Sequence, residues 1–281
     1  MDMARLLNRR RALGLFGAAG GTIALAACGG DELTSSGSTA SATPTPTATS
    51  TATSTPTPTS TSASCVSFAE ETNGPYPADG TNTSNGATSN VLTNTSFVRS
   101  DVRSSILAST NTAAGIELTI TLQLADVNND CAVLEGYAVY MWHCNAEGDY
   151  SLYDLPQQDY LRGIQVSNAN GQVTFTTIIP GCYNGRYPHI HFEVFSSLAN
   201  ATGGRYAVLI SQFAVLKSQL TTIYASNAVY ASSISALSSS TLSGDNVFGD
   251  NTSAQQDAMM LTLVDDGDGT WSANATVGIA T

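Results

Sequence analysis

The sequence is short of positive charge. Lysine and arginine together number 10 among 281 residues, against 22 aspartates and glutamates, so the formal net charge is −12. No basic patch or stripe runs along the chain, which excludes the electrostatic footprint of a nucleic-acid-binding protein. A small ligand must therefore be attracted by a local site and not by the overall field.

Long apolar runs are also scarce, and the clearest one lies at the N-terminus. Three arginines at 9–11 precede the apolar run 12–27, which is too short for a membrane span of about 20 residues. The run ends in Leu25-Ala26-Ala27-Cys28, a pattern typical of a bacterial lipoprotein signal with Cys28 as the lipidated residue. The arginines favour twin-arginine export, and an ordinary secretory signal with a chance cysteine is the alternative. We predict a signal at 1–28 and a lipid-anchored protein on the surface or in the periplasm of a bacterium.

Large apolar residues are almost absent from residues 29–64, which are mostly serine, threonine and proline. Such a composition cannot bury a core, so we expect a disordered linker that holds the following domain away from a membrane. Residues 65–281 are long enough to form one domain with a sizeable core.

Cysteine is infrequent, with four residues in the predicted domain: Cys65, Cys131, Cys144 and Cys182. An even count in an exported domain predicts two disulfides, with three possible pairings. Thiolate ligation of a metal is the alternative use of these side chains.

The domain is predicted to be rich in short β-strands. Residues 118–124 alternate apolar and polar side chains, as a half-buried strand does. Further strands are predicted at 137–142, 173–178, 189–195 and 206–213, a short helix within 216–240, and a terminal hairpin of 259–264 and 270–277. Many short strands separated by glycine and asparagine turns favour a sandwich.

The acidic loop at 265–269 invites a second interpretation as a calcium site. It reads Asp-Asp-Gly-Asp-Gly but lacks the full spacing of an EF-hand loop. Because Asp-Gly is a strong turn signal between strands, we interpret this loop as the turn of the terminal hairpin.

Histidine is also scarce, with three in the chain. His189 and His191 alternate on a predicted strand, so their imidazoles project from the same face. Paired imidazoles suit iron, copper, zinc and nickel, whereas the simpler interpretation is a polar sheet face. Tyr183 lies just upstream, behind a Pro-Gly turn, where its phenol could reach the same metal.

The surrounding stretch resembles the signature of intradiol ring-cleaving dioxygenases, non-haem Fe(III) enzymes that open catechols. The family pattern is Pro-Gly-x-Tyr, a Gly-Arg pair and His-Ile-His. This chain has Pro180-Gly181-Cys182-Tyr183, Gly185-Arg186 and His189-Ile190-His191. Four further segments resemble the family in the same order: Gly74-Pro75-Tyr76, residues 142–150, residues 161–178 and Ser211-Gln212-Phe213.

The resemblance implies a set of Fe(III) ligands: Tyr150, Tyr183, His189 and His191. It also implies that Arg186 stabilises negative charge on the substrate, that Gln212 lies near bound oxygen and that Tyr76 lines the pocket. Tyr183 is in addition the ligand that a substrate would displace, so it counts among the catalytic residues. A free phenol has a pKa of about 10, and only a strong cation keeps it ionised at neutral pH.

The implied fold is mainly β, an antiparallel sandwich of the intradiol dioxygenase type with short helices and long loops. The implied reaction uses O2 to cleave a catecholic ring between its two hydroxylated carbons, giving a muconate-type product. The chain lacks the helical N-terminal dimerisation region of catechol and hydroxyquinol dioxygenases, and so resembles more a protocatechuate 3,4-dioxygenase-like subunit. The sequence is compatible with a homo-oligomer.

Two other functions remain open at this stage. One is a non-catalytic sandwich that binds aromatics or a surface partner, and the other is a zinc or copper enzyme built on the two histidines. Because the family uses oxygen and nitrogen ligands, the resemblance argues against thiolate ligation and suggests instead a Cys144–Cys182 bridge between the ligand loops. His143 matches no ligand position and is interpreted as structural or exposed, and Trp142 as a core residue.

Overall fold

The computed structural model describes residues 65–84 and 87–281. The signal, Cys28 and the linker lie outside these residues, so the statements about them stay predictions. Within the described part of the chain, no helix is both long enough and apolar enough to cross a membrane.

Two five-stranded sheets make up most of the domain, with strands numbered in chain order. Sheet I has the spatial order β11, β12, β3, β4, with β7 also paired to β3. Sheet II has the order β10, β9, β8, β5, β6, and β1 and β2 form a separate hairpin. The strands are β1 Asp79–Ser84, β2 Ala87–Asn90, β3 Glu117–Asp126, β4 Ala132–Val133, β5 Ala138–Trp142, β6 Arg162–Val166, β7 Gln172–Ile178, β8 His189–Phe195, β9 Leu209–Val215, β10 Met260–Leu261, β11 Val264–Asp265 and β12 Trp271–Ile279.

An apolar core lies between the two sheets. The alternate residues of β3, among them Leu118 and Leu122, are fully buried and belong to the same cluster as Ile190 and Phe192 of β8. The residues of β3 that alternate with them point outward and are partly exposed, because successive side chains of a strand point to opposite faces. The predicted mainly β sandwich with short helices is therefore confirmed.

Two strand predictions need correction. The strand expected at 206–213 begins at Leu209, because Gly204–Tyr206 forms a 3-10 turn. The terminal hairpin is wrong in extent: β11 pairs with β12 at only two positions, whereas β12 runs parallel to β3 over nine. The acidic loop 265–269 between them is indeed a turn, closed by a hydrogen bond from the Asp266 amide to the Thr270 carbonyl (3.1 Å).

Three short helices follow β9: α1 Lys217–Ser226, α2 Ser233–Ser239 and α3 Ser253–Met259. The first two fall in the segment where one short helix was predicted. The Tyr224 hydroxyl of α1 donates to the Pro180 carbonyl (2.6 Å), and the Ser233 hydroxyl of α2 donates to the Ala146 carbonyl (2.8 Å). These helices therefore fix two loops, 143–150 and 180–188, that lead to the candidate site.

The cysteine prediction is wrong in number and in its suggested bridge. Cys65 and Cys131 form a disulfide, whereas Cys144 and Cys182 are free and buried. The Cys144 thiol donates to the Gly181 carbonyl (3.6 Å), and the Cys182 thiol to the Arg186 carbonyl (3.7 Å). The Cys144 thiol thus points to a backbone oxygen of the other loop, and the Cys182 thiol points to one of its own loop.

Candidate metal centre

The centre forms on the face of β8 that points away from the core. Ile190 and Phe192 face sheet I, so the alternation of the strand places His189 and His191 on the opposite face. In the register of sheet II, His191 lies between Trp142 of β5 and Gln212 of β9. This outer face is nevertheless shielded from solvent, as shown by the burial of all seven residues of β8.

Two phenol oxygens and two imidazole nitrogens converge on this face. His189 Nε2 lies 3.3 Å from Tyr150 Oη, 3.1 Å from Tyr183 Oη and 3.1 Å from His191 Nε2. The two phenol oxygens are 3.4 Å apart. Metal–ligand bonds of about 2.0–2.2 Å would separate neighbouring ligand atoms by about 3.0–3.4 Å, so this set has the spacing of a coordination shell.

Tyrosine is essential to this set. Among the described residues, no group of three or more histidine, cysteine, aspartate and glutamate side chains is placed to hold an ion. The convergence exists only when the two phenols are counted with the two imidazoles.

The two tyrosine loops meet at Gly181. Its amide donates to the Asn145 carbonyl (3.0 Å), and a Cβ at this position would lie 2.5 Å from the same oxygen. Only glycine allows this approach of backbone to backbone. The contact performs the function that was assigned to a Cys144–Cys182 bridge.

Both imidazoles are oriented by their surroundings. His189 Nδ1 lies 2.6 Å from the Tyr187 carbonyl, which makes Nδ1 the donor and leaves Nε2 with a lone pair for the centre. The His191 ring stacks on Trp142 with ring centroids 4.8 Å apart. Gly74, at a φ of +72°, lies close to the same ring, since a Cβ there would come within 3.2 Å of His191 Cε1.

Burial keeps all four groups neutral in the absence of a cation. It raises the pKa of Tyr150 well above its usual value and that of Tyr183 to about 12. It also lowers the pKa of His191 well below its usual value, with the neighbouring His189 charge as the next cause, and it lowers the pKa of His189 as well. A bound cation would therefore have to displace the protons of the two phenols. The acceptor nitrogens of the histidines carry no proton that it would need to displace.

Arg186 places its guanidinium beside the centre, with Nη1 3.4 Å from His189 Nε2. Its Nη2 donates to Gln212 Oε1 (2.7 Å), and Gln212 Nε2 donates to the Thr72 carbonyl (2.8 Å). The guanidinium is also paired with the Asp245 carboxylate (2.9 Å). A cavity of about 280 Å³ borders this pair.

Comparison with known proteins shows similarity to dioxygenases. Residues 98–222 match the family model of dioxygenases. An intradiol ring-cleavage dioxygenase from Tetranychus urticae is 25% identical, with a TM-score of 0.55, over 77% of this chain and 95% of that one. A second dioxygenase crystal structure gives 25% identity and a TM-score of 0.57 over the same shares of the two chains. No curated protein sequence matches the chain.

The chain is thus similar to intradiol ring-cleavage dioxygenases in its fold, and residues 98–222 match the dioxygenase family model. The segment matched to the dioxygenase model contains the four converging residues, together with Arg186 and Gln212. Tyr76 lies outside that segment, but its ring is 5.0 Å from the Tyr150 ring, centroid to centroid. The structure thus brings all seven residues that were singled out from the sequence in this domain into one region.

The third histidine has a structural place in the domain. His143 is buried, with Nδ1 2.7 Å from the Cys144 carbonyl and Nε2 2.7 Å from the Thr177 hydroxyl of β7. It connects the end of β5 to sheet I and does not reach the metal centre, as the structural interpretation predicted. Trp142 is fully buried, as expected of a core residue, and it also forms the stacking surface for His191.

Two charged residues near this centre were assigned no role from the sequence. Asp245 lies 59 positions after Arg186, beyond the matched segment, and stands in no recognisable motif. Arg162 lies within the segment 161–178 that resembles the family, but nothing in that segment indicates its contacts. It is fully buried and donates to neutral oxygens, among them the Tyr76 carbonyl (2.9 Å) and the Ser151 hydroxyl (3.0 Å).

Proposed function

We propose that the protein is an exported Fe(III)-dependent intradiol dioxygenase. Its substrate would be a catecholic aromatic diol, and the carbon–carbon bond between the two hydroxylated carbons would break. Both atoms of O2 enter the product, so the diol would become a muconic acid that carries two more oxygen atoms, and no other reductant or oxidant is needed. The convergence of Tyr150 Oη, Tyr183 Oη and the two histidine Nε2 atoms carries this proposal.

The donor set favours iron over zinc or copper. Catalytic zinc sites in proteins use three histidines, or histidine with carboxylate or cysteine, whereas this centre has two histidines and, among the described residues, no carboxylate or cysteine to complete the set. Two phenolates are hard anionic oxygen ligands, which suit a trivalent cation. Tyr150, Tyr183, His189 and His191 would hold the ion, and bound Fe(III) would supply a Lewis acid that withdraws electrons from a chelated diol.

The two tyrosines differ in how easily they could leave the centre. Tyr150 is buried, and its amide is fixed by Asp154 (2.9 Å). Tyr183 is half-buried and precedes Gly185, which has a φ of +88° and an open surrounding. This asymmetry supports Tyr183 Oη as the atom that takes a proton from the incoming diol.

Arg186 and Gln212 act on the charge that the diol carries after losing its protons. The Nη1 edge of Arg186 faces the centre, where a cation stabilises negative oxygen in a site shielded from water. Gln212 holds the neighbouring edge of the same guanidinium. Tyr76, whose ring lies 5.0 Å from that of Tyr150 and is tilted against it by 37°, would form a wall for the aromatic ring.

The visible absorption spectrum of the full-length chain tests this proposal. We expect a broad tyrosinate-to-Fe(III) band that shifts when catechol is added without oxygen, and ring cleavage when oxygen is admitted. Tyr150→Phe and Tyr183→Phe should each alter the band and abolish cleavage, whereas Tyr206→Phe, at an exposed tyrosine, should change neither. A chain that stays colourless after ferric and ferrous iron are supplied would leave a binding module or another metal enzyme.

The place of the protein in the cell belongs to the same proposal. A lipid on Cys28 would anchor the domain through the linker on the outer side of a bacterial membrane. We expect Cys28→Ser to move the protein from the membrane fraction to the soluble fraction, as measured by immunoblotting. Retention of the variant in the membrane fraction would contradict the anchor.

A further inference from the structure

Asp245 is a buried carboxylate that no part of the proposed chemistry yet uses. It follows a 3-10 turn at Leu242–Gly244, and its side chain is 0% exposed, against 13% for the Arg186 side chain. An ionised carboxylate at such a position requires strong partners.

Those partners surround both carboxylate oxygens. Oδ2 accepts from Arg186 Nε (2.9 Å) and from the Tyr187 amide (2.6 Å). Oδ1 accepts from the Val247 amide (2.8 Å) and more distantly from Arg186 Nη2 (3.3 Å). Burial raises the pKa of the carboxyl, but the hydrogen bonds from Arg186 and the amides outweigh it and hold the pKa below its usual value.

The pairing determines which edge of the guanidinium remains available. Nε and Nη2 are engaged by Asp245, and Nη2 also donates to Gln212 Oε1 (2.7 Å). The remaining nitrogen, Nη1, is the one beside His189 Nε2. A planar guanidinium fixed along two of its edges has one orientation left for the third.

We propose that Asp245 is a positioning residue that fixes the Nη1 edge of Arg186 toward the metal centre, where it binds the deprotonated oxygen of the aromatic diol. The inference rests on the proposed function and extends it to a residue outside the matched dioxygenase segment. Asp245 acts through Arg186 and touches no reacting atom.

A double-mutant cycle on diol binding tests this inference. The iron-loaded full-length chain is titrated anaerobically with catechol, and the Kd is taken from the shift of the visible band. We expect Asp245→Asn to weaken binding by at least about tenfold, because hydrogen bonds to a charged group are lost. In the Arg186→Gln background, Asp245→Asn should cause no further loss.

Two further variants keep the test specific. Asp250→Asn removes the same charge from an exposed position five residues away and should leave the Kd unchanged. Arg186→Lys keeps the positive charge but has no second edge to hold, so it should also weaken binding by about tenfold or more. Because Arg186→Lys leaves Asp245 intact, it remains informative if Asp245→Asn fails to fold.

Several results would overturn the inference. An unchanged Kd for Asp245→Asn, an equal loss in the Arg186→Gln background, or wild-type binding by Arg186→Lys would each do so while the proposed function stands. Absence of the visible band in the wild-type chain would overturn the proposed function and this inference together.

Discussion

Strands β3 and β8 each place alternate residues on the two faces of a sheet, but the surroundings of their outer faces differ. On β3, apolar residues are buried and the intervening residues, such as Thr121, are partly exposed. On β8, both faces are buried, because loops cover the outer face of sheet II. The outer face of a sheet therefore has two possible roles. A face in contact with water carries threonines, whereas a covered face can hold imidazoles and phenols away from water.

The largest expected effect comes from a substitution in the core between the two sheets, where one face of each strand is buried. Phe192→Ala removes a fully buried ring from the inter-sheet core and should lower the free energy of unfolding by about 3–5 kcal/mol. Thr121→Ala on the outer face of β3 should change it by less than about 1 kcal/mol, since it loses only an exposed hydrogen bond to Thr174. Urea unfolding measures both, and equal losses would contradict the comparison.

The sheets also differ in covalent support. Cys65–Cys131 ties the N-terminal segment to the turn after β3, closing a sequence separation of 66, whereas the cysteines near the centre of sheet II are free. Replacing the pair with serines should lower the free energy of unfolding by about 2–4 kcal/mol. The matched control is Cys144→Ser with Cys182→Ser, which keeps the disulfide and should therefore lose as much stability on addition of reductant as the wild type does. If reductant does not destabilise the wild-type chain, the prediction is wrong.

The smallest expected effect is the dependence of stability on pH through His143, which connects the end of β5 to Thr177 of β7. Burial lowers the pKa of His143 to about 4, whereas an unfolded histidine has a pKa of about 6.5. Between these values the unfolded chain binds a proton that the folded chain does not. His143 alone should therefore lower the free energy of unfolding of the metal-free protein by up to about 3 kcal/mol as the pH drops from about 6.5 to about 4.

Urea unfolding at pH 7 and pH 4.5 checks this dependence. His143→Gln should retain a part of it, because His189 and His191 also have lowered pKa values, but the change with pH should be smaller than in the wild type. An identical pH dependence in the variant would exclude His143 as a contributor.

Local patterns were sufficient for most of the strands, whereas the convergence of Tyr150 with the other site residues was expected from the family resemblance. The alternation at 118–124 and the His-Ile-His spacing correctly indicated strands with distinct faces. The parallel pairing of β12 with β3 was missed, because it joins segments about 150 residues apart in sequence and leaves no local mark. The same reason explains Asp245, whose partner lies 59 residues earlier.

The cysteines illustrate a different limit. Counting suggested two bridges, but Cys144 and Cys182 are satisfied by backbone carbonyls, and the loops they belong to are joined by the Gly181 amide. Composition can state how many thiols are available, whereas the close approach that replaces a bridge depends on three-dimensional packing.

Arg162 is a fully buried cation whose hydrogen bonds go to neutral oxygens, in a molecule whose formal net charge is negative. Two of the ten cationic residues of a chain with a formal net charge of −12 lie at or beside the centre, Arg162 and Arg186. An anionic aromatic is therefore repelled at long range and attracted at contact. Salt screens the long-range part first, with a Debye length of about 8 Å at physiological ionic strength. Added salt then accelerates the approach of such a ring, the reverse of the usual electrostatic steering.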